Sequence, residues 1–66
     1  MKIHLDKKSD ALHLKLDESP VVGSEEVCPG VVLDFNAEDK VVGIEILDFS
    51  KHRNNDALKT VTIVVE

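Results

Sequence analysis

The sequence is short of most residues that small proteins use to staple themselves together or to do chemistry. It has one cysteine, Cys28, so no disulfide closes within the chain. A lone thiol suits a reducing compartment, and the expected location is the cytoplasm. Tryptophan and tyrosine are absent, and the aromatics are two, Phe35 and Phe49. A small sheet with so few rings has little internal means of covering an apolar face. The glycines, Gly23, Gly30 and Gly43, are too dispersed for a phosphate-binding loop. Positive charge is in deficit. Against 13 Asp and Glu stand 8 Lys and Arg, and the net charge of -5 disfavours nonspecific nucleic-acid binding. The same acidity keeps a small protein soluble. No run approaches the roughly 18 apolar residues of a membrane span, and the opening residues 1–6 lack the apolar stretch of a signal peptide. At 66 residues the chain is expected to form one small β domain over 1–66, with a marginal core, since such a chain buries only about 60% of its unfolded surface.

What is present is strand chemistry. Val, Ile and Leu recur with a period of two, and no helical stripe persists. Ile3 and Leu5 share one face, with Lys2 and His4 on the other; Leu12, Leu14 and Leu16 share a face opposite His13 and Lys15. Residues 6–10 between them are polar and turn-like. The same plan returns in residues 33–46. Leu33 and Phe35 alternate with Asp34 and Asn36, residues 37–40 make a polar turn, and Val42, Ile44 and Ile46 alternate with Gly43 and Glu45. Superposing the two segments lays Ile3 on Leu33, Leu5 on Phe35, Leu12 on Val42, Leu14 on Ile44 and Leu16 on Ile46, a structural echo with few identities.

The pattern also predicts register. With a loop at residues 7–10, Leu5 faces Leu12 and Ile3 faces Leu14; with a loop at 37–40, Phe35 faces Val42 and Leu33 faces Ile44. Apolar partners then meet on one face, and a slip of one residue would turn the whole set to water. Residues 20–27 read as a short strand with Pro20 at its start. Cys28-Pro29-Gly30 reads as a turn. Residues 48–53 are expected to form a helical turn behind an Asp48 or Ser50 cap, Asn54-Asn55 a turn, and residues 58–65 a final strand. The fold class is mainly β: antiparallel hairpins or a meander in a small sheet, with at most one short helical turn.

Several short motifs fall in one order: Met1-Lys2-Ile3, Asp10-Ala11-Leu12, Ser24-Glu25-Glu26-Val27, Pro29-Gly30, the run from Val41 to Leu47, then Asp48-Phe49-Ser50. In this the chain resembles a family of small prokaryotic proteins catalogued as domain of unknown function 2283, over roughly its first fifty residues. The family name concedes that no activity is established. The resemblance implies an antitoxin-like role with a small toxin as protein partner, because some relatives neighbour toxin-like genes; nothing in the residues themselves points there.

Candidate sites are sparse. His4 and His13 are expected to face one another across the first hairpin, where two imidazoles can share a metal, but a stable zinc site wants three or four protein ligands. His52, Cys28 and scattered carboxylates are the remaining donors, and no CxxC or HxxxH spacing gathers them. Unliganded strand histidines are therefore expected. Cys28 has neither a motif nor an orienting group to make it a nucleophile. Asp34 and Glu45 share a face of the second hairpin, near but not opposite, and are expected to be solvated because acid–base work needs a cleft that perturbs them. Gly43 suggests a bulge or the close approach of another backbone. Lys7-Lys8 and Lys51-His52-Arg53 are the basic features, a weak nucleic-acid signal in an acidic chain.

No catalytic, cofactor-binding or metal-binding residue is assigned. The leading expectation is a non-catalytic interaction module whose apolar face must be covered, since one layer of strands cannot bury it alone. Self-association as a homodimer or higher even oligomer supplies the missing layer, with the aliphatic run at Val61 to Val65 as an additional pairing edge. The alternative is a small enzyme or metal-binding protein using His4 and His13.

Overall fold

The structure, a computed structural model, describes residues 1–52 and 62–66. Strands β1 (Lys2–Asp6), β2 (Ala11–Lys15), β3 (Gly23–Cys28), β4 (Val31–Phe35) and β5 (Val41–Ile46) are followed by a 3₁₀ turn, Phe49–His52. They form one five-stranded sheet in the order β1-β2-β5-β4-β3, antiparallel throughout. The mainly-β expectation holds.

The first hairpin has the expected register, with Ile3 opposite Leu14 and Leu5 opposite Leu12. Its turn is held by Asp6, whose Oδ1 accepts the backbone N–H of Lys8 at 3.0 Å and of Ser9 at 3.3 Å. Asp10 ends the loop at φ 57, a left-handed conformation that Asp tolerates better than most residues. In the second hairpin Leu33 does face Ile44, but Phe35 faces Val41 and not Val42. Asn36 is the cause. Its Oδ1 accepts the N–H groups of Glu38 at 2.9 Å and Lys40 at 3.0 Å, and its own N–H donates to Lys40 O at 3.0 Å. The loop closes around this side chain, and Val42 becomes the extra residue of a β-bulge.

Strand order is where the two hairpins meet. Leu14 and Ile44 hold equivalent places in the echoing hairpins and pair with each other across β2 and β5, as Leu12 pairs with Ile46. A local two-fold axis normal to the sheet therefore relates them. Residues 16–22 carry the chain past β5 and β4 to the far edge, where Val22 N–H donates to Phe35 O at 2.8 Å. β3 starts at Gly23, later than the expected Pro20, because proline brings no N–H to a ladder. The turn expected at Cys28-Pro29-Gly30 is confined to Pro29-Gly30, with Cys28 ending β3; Gly30 stands at φ 83, a conformation that favours glycine.

The 3₁₀ turn is capped from a distance. Phe49 N–H donates to Asp10 O at 2.9 Å, and the Asp10 carboxylate accepts Ser50 N–H at 3.0 Å and Ser50 Oγ–H at 2.7 Å. The cap is thus a residue of the first hairpin loop, not the neighbouring Asp48 or Ser50. At the end of the chain, residues 62–66 join no strand. Ile63, Val64 and Val65 are 73%, 76% and 88% exposed, so the final strand does not form over 62–65. Aliphatic side chains favour a strand only where a neighbouring strand offers its backbone groups, and none pairs here. Residues 58–61 and the Asn54-Asn55 turn lie outside the described residues.

Packing is thin. The radius of gyration over Cα atoms is 12.8 Å, against about 11 Å for a compact chain of this length. Among the described residues the buried hydrophobic side chains are Val42 and Phe49 alone.

Candidate functional site

Register sorts the sheet's side chains onto two faces. One carries the row Lys2, Lys15, Gly43, Asp34, Ser24 and beside it the row His4, His13, Glu45, Val32, Glu26. The other carries Ile3, Leu14, Ile44, Leu33, Glu25 and then Leu5, Leu12, Ile46, Val31, Cys28.

The polar face is organised around a gap. Gly43 sits in the central strand β5, flanked by β2 and β4. A Cβ there would come within 2.8 Å of Asp34 Oδ2 and 3.2 Å of His13 Nε2. Because that Cβ is missing, side chains from the two flanking strands meet over the glycine, with His13 Nε2 3.5 Å from Asp34 Oδ2. On the other side Ser24 Oγ–H donates to Asp34 Oδ1 at 2.6 Å. Asp34 is only 4% exposed, so the expectation that it is solvated is overturned. Ser24 and His13 let this carboxylate be buried, since an unpartnered one would be far too costly. Gly43 does mark a close approach, as expected, but of side chains rather than of another backbone. The bulge lies next to it, at Val42.

Ser, Asp and His together invite comparison with a catalytic triad, and the order of the contacts answers it. In a triad the imidazole stands between hydroxyl and carboxylate and takes the hydroxyl proton. Here the carboxylate stands in the middle, and Ser24 Oγ–H is spent on Asp34. The Ser24 hydroxyl is therefore hydrogen-bonded to a carboxylate rather than to an imidazole. What the cluster does is tie β2, β4 and β3 together across β5, so that a register slip would strand a buried carboxylate.

The other sequence candidates fall apart. His4 does face His13 in the register, but His13 is turned to Asp34. Among the described residues no three of His, Cys, Asp and Glu converge on a point that would hold a metal. Glu45 is on Asp34's face, diagonal to it, and only half-buried. Cys28 is exposed at the end of β3. Of the second basic cluster, Lys51 Nζ lies 3.8 Å from Asp48 Oδ1, and Arg53 lies outside the described residues. A cleft of about 300 Å³ is lined by Ser19, Pro20, Val22, Asn36, Ala37 and Glu38; its one ionisable group, Glu38, has no acid–base partner in the lining. Carboxyls held below their ordinary range belong to turns. Ser9 and the Lys8 N–H lower Asp6, Ser19 lowers Asp17, and Lys15 lowers Glu18.

The apolar face is the larger feature. Leu5, Leu12, Leu14, Val31, Leu33, Ile44 and Ile46 are all half-buried, and Ile3 is 46% exposed. The row Ile3, Leu14, Ile44, Leu33 crosses β1, β2, β5 and β4 without a polar side chain. Glu25 on the edge strand β3 is the charged residue that the register sets on this face. Sequence reasoning predicted the aliphatics, and the structure leaves Ile44 half-buried.

Among the described residues no helix is long and apolar enough to cross a membrane. No curated protein matches the chain, and no solved structure does. One family does match, described as a protein of unknown function (DUF2283), over residues 2–50, which takes in every strand of the sheet. The chain belongs to that family.

Proposed function

We propose that this protein is a non-catalytic interaction module, and that a second copy of the chain covers the aliphatic face of its sheet. One observation carries the reading: apolar pairs run in register across the sheet and none of them is buried. Leaving such a patch in water is what monomers avoid and interfaces use. The sheet edges point to face packing rather than edge pairing. β3 carries Glu25 and Glu26 and a register shift after Glu26, and β1 carries Lys2 and Asp6. Charges and bulges of this kind blunt an edge against another strand. Closure by a two-fold axis is the commonest solution for identical chains.

The face is small. Five strands about 4.8 Å apart and about 17 Å long cover roughly 400 Å² a side. That is the weak, reversible end of specific association. Sedimentation equilibrium from micromolar to millimolar protein tests the reading: the mass is expected to rise from that of a 7.3 kDa monomer to twice that value. A monomer mass throughout would overturn self-association and leave a partner of another kind to cover the face, which copurification from the native host would identify.

A further inference from the structure

We propose that the outer edge of β1 docks residues 62–66 of a second copy of this chain as an added antiparallel strand. In this pairing Ile63 lies opposite the partner's Leu5, Val65 opposite the partner's Ile3 and Glu66 opposite the partner's Lys2. The contact goes beyond the face packing above and does not depend on it. Two observations lead to it. β1 is the outermost strand on its side of the sheet, and among the described residues its one strand partner is β2. Residues 62–66, Thr62-Ile63-Val64-Val65-Glu66, are rich in side chains that favour strands. Yet they join no strand of their own chain, and Ile63, Val64 and Val65 stand in water. An unpaired edge is a template for such a segment. Main-chain hydrogen bonds supply the attraction, and alternate side chains supply the specificity.

Side chains select the edge, the direction and the register. On the aliphatic face β1 presents Ile3 and Leu5, whereas the opposite edge strand, β3, presents Glu25 and Cys28 and carries a register shift after Glu26. Ile63 and Val65 are two apart, share one face of a strand, and find an apolar pair on β1 but not on β3. Run parallel to β1 with both aliphatics matched, the segment would bring Glu66 beside Asp6; run antiparallel, it brings Glu66 to Lys2. Lys2 Nζ lies 3.9 Å from Glu18 Oε1 with both side chains exposed, a loose contact that leaves it able to meet Glu66. Within the antiparallel arrangement, a slip of one residue turns Ile63 and Val65 to the polar face. A slip of two carries one of them past the end of β1 and sets Val64 opposite Lys2 or Asp6. The stated register matches both aliphatics and the opposite charges, and extends both aliphatic rows of the sheet by one strand. Charges that blunt β1 against an arbitrary strand thus admit one whose own charge is complementary. The acceptor belongs to a second copy because residues 62–66 pair with no strand of their own sheet, and exchange in both directions closes on a two-fold axis. One five-residue strand buries far less than a standard interface, so the contact is transient, and covalent trapping reads it better than mass.

Disulfide trapping tests this, with Cys28→Ser in every chain to remove the native thiol. The register sets Val64 opposite the partner's His4, and both residues are exposed, so the fold does not depend on them. Residues directly opposite on antiparallel strands have Cα atoms about 4.5–5.5 Å apart, within reach of a disulfide, whereas diagonal neighbours at about 7–8 Å lie beyond it. A chain carrying His4→Cys is mixed with one carrying Val64→Cys in a glutathione redox buffer, each verified as folded by circular dichroism. The cross-linked pair of unlike chains is expected to exceed that formed with Thr62→Cys or Glu66→Cys on the order of tenfold. Adding Glu66→Lys to the Val64→Cys chain is expected to lower the yield severalfold, and Lys2→Glu in the His4→Cys chain to restore it. Equal yields from the three donor positions would overturn the register, and no cross-link between unlike chains at millimolar protein would overturn the docking. A single chain carrying both His4→Cys and Val64→Cys that closes within itself as a monomer would overturn exchange between copies.

Discussion

The two faces of this sheet reverse the usual assignment of inside and outside. On one, a carboxylate and a glycine are buried, Asp34 and Gly43; on the other, aliphatic side chains are left half in water. The difference teaches what each face is for. The polar face is complete in itself. Asp34 has its partners in Ser24 and His13, and among the described residues no buried side-chain nitrogen or oxygen lacks a hydrogen bond. It holds four strands in one register, β2 through β5 and β4 to β3. The aliphatic face is left half in water, whereas apolar surface is satisfied only by removal from water.

The largest expected effect would break the finished face. Gly43→Val puts a branched side chain where Asp34 and His13 meet, and Asp34 cannot retreat without losing Ser24. The cost is expected to be about 3 kcal/mol, the scale for leaving a buried charged group unpartnered, which is a large share of the marginal stability of a small domain. Urea unfolding measures it, and a midpoint unchanged from the parent would show that the gap over β5 is not needed.

Ile44→Asp strikes the other face at the centre. Ile44 is half-buried, so the expected cost to the monomer is roughly 2 kcal/mol, part of what full burial would exact. Its effect on association is expected to be complete. The pair of measurements sharpens the contrast: Gly43→Val should lower stability at any concentration, whereas Ile44→Asp should also abolish any rise of the midpoint with protein concentration. A dimer that survives Ile44→Asp would mean the aliphatic face is not the interface.

Ser24→Ala removes one of the two supports of Asp34. The expected loss is about 1–2 kcal/mol, as for hydrogen bonds to charged groups. Removing Ser24 and Asp34 together is expected to cost less than the sum of the single changes, because they act as one unit. Strict additivity in that double-mutant cycle would show that the cluster is not coupled.

The smallest effect belongs to neither face. Asp6 is held below its ordinary range by Ser9 and by the Lys8 N–H. A carboxyl with a folded pKa lower than its unfolded one stabilises the fold above the unfolded value, and that contribution is lost as pH falls through the folded value. The first hairpin is therefore expected to lose stability below about pH 4. Asp6→Asn should flatten that slope when urea midpoints are compared at about pH 6 and about pH 3. An unchanged slope would mean the turn makes no contribution.

The sequence by itself determined what is local to the two hairpins: their strands, the face each of their aliphatics takes, and the register of the first from Ile3 against Leu14 and Leu5 against Leu12, though not the strand expected over 62–65. Periodicity carries this information because side chains alternate along any strand and a short loop allows few pairings. It already failed at Val42. There the hydrogen bonds of one side chain, Asn36, outweighed the alternation and closed the loop a residue early. The strand order was decided by tertiary structure alone, since every aliphatic strand offers the same edge to any other and only the crossover through residues 16–22 places β3 outside β4. The buried cluster followed from that order. A glycine inside a strand was a legible signal of close approach, but Gly43 can be filled by His13 and Asp34 only once β2 and β4 lie on either side of it, and nothing in the spacing of residues 13, 34 and 43 says that they will.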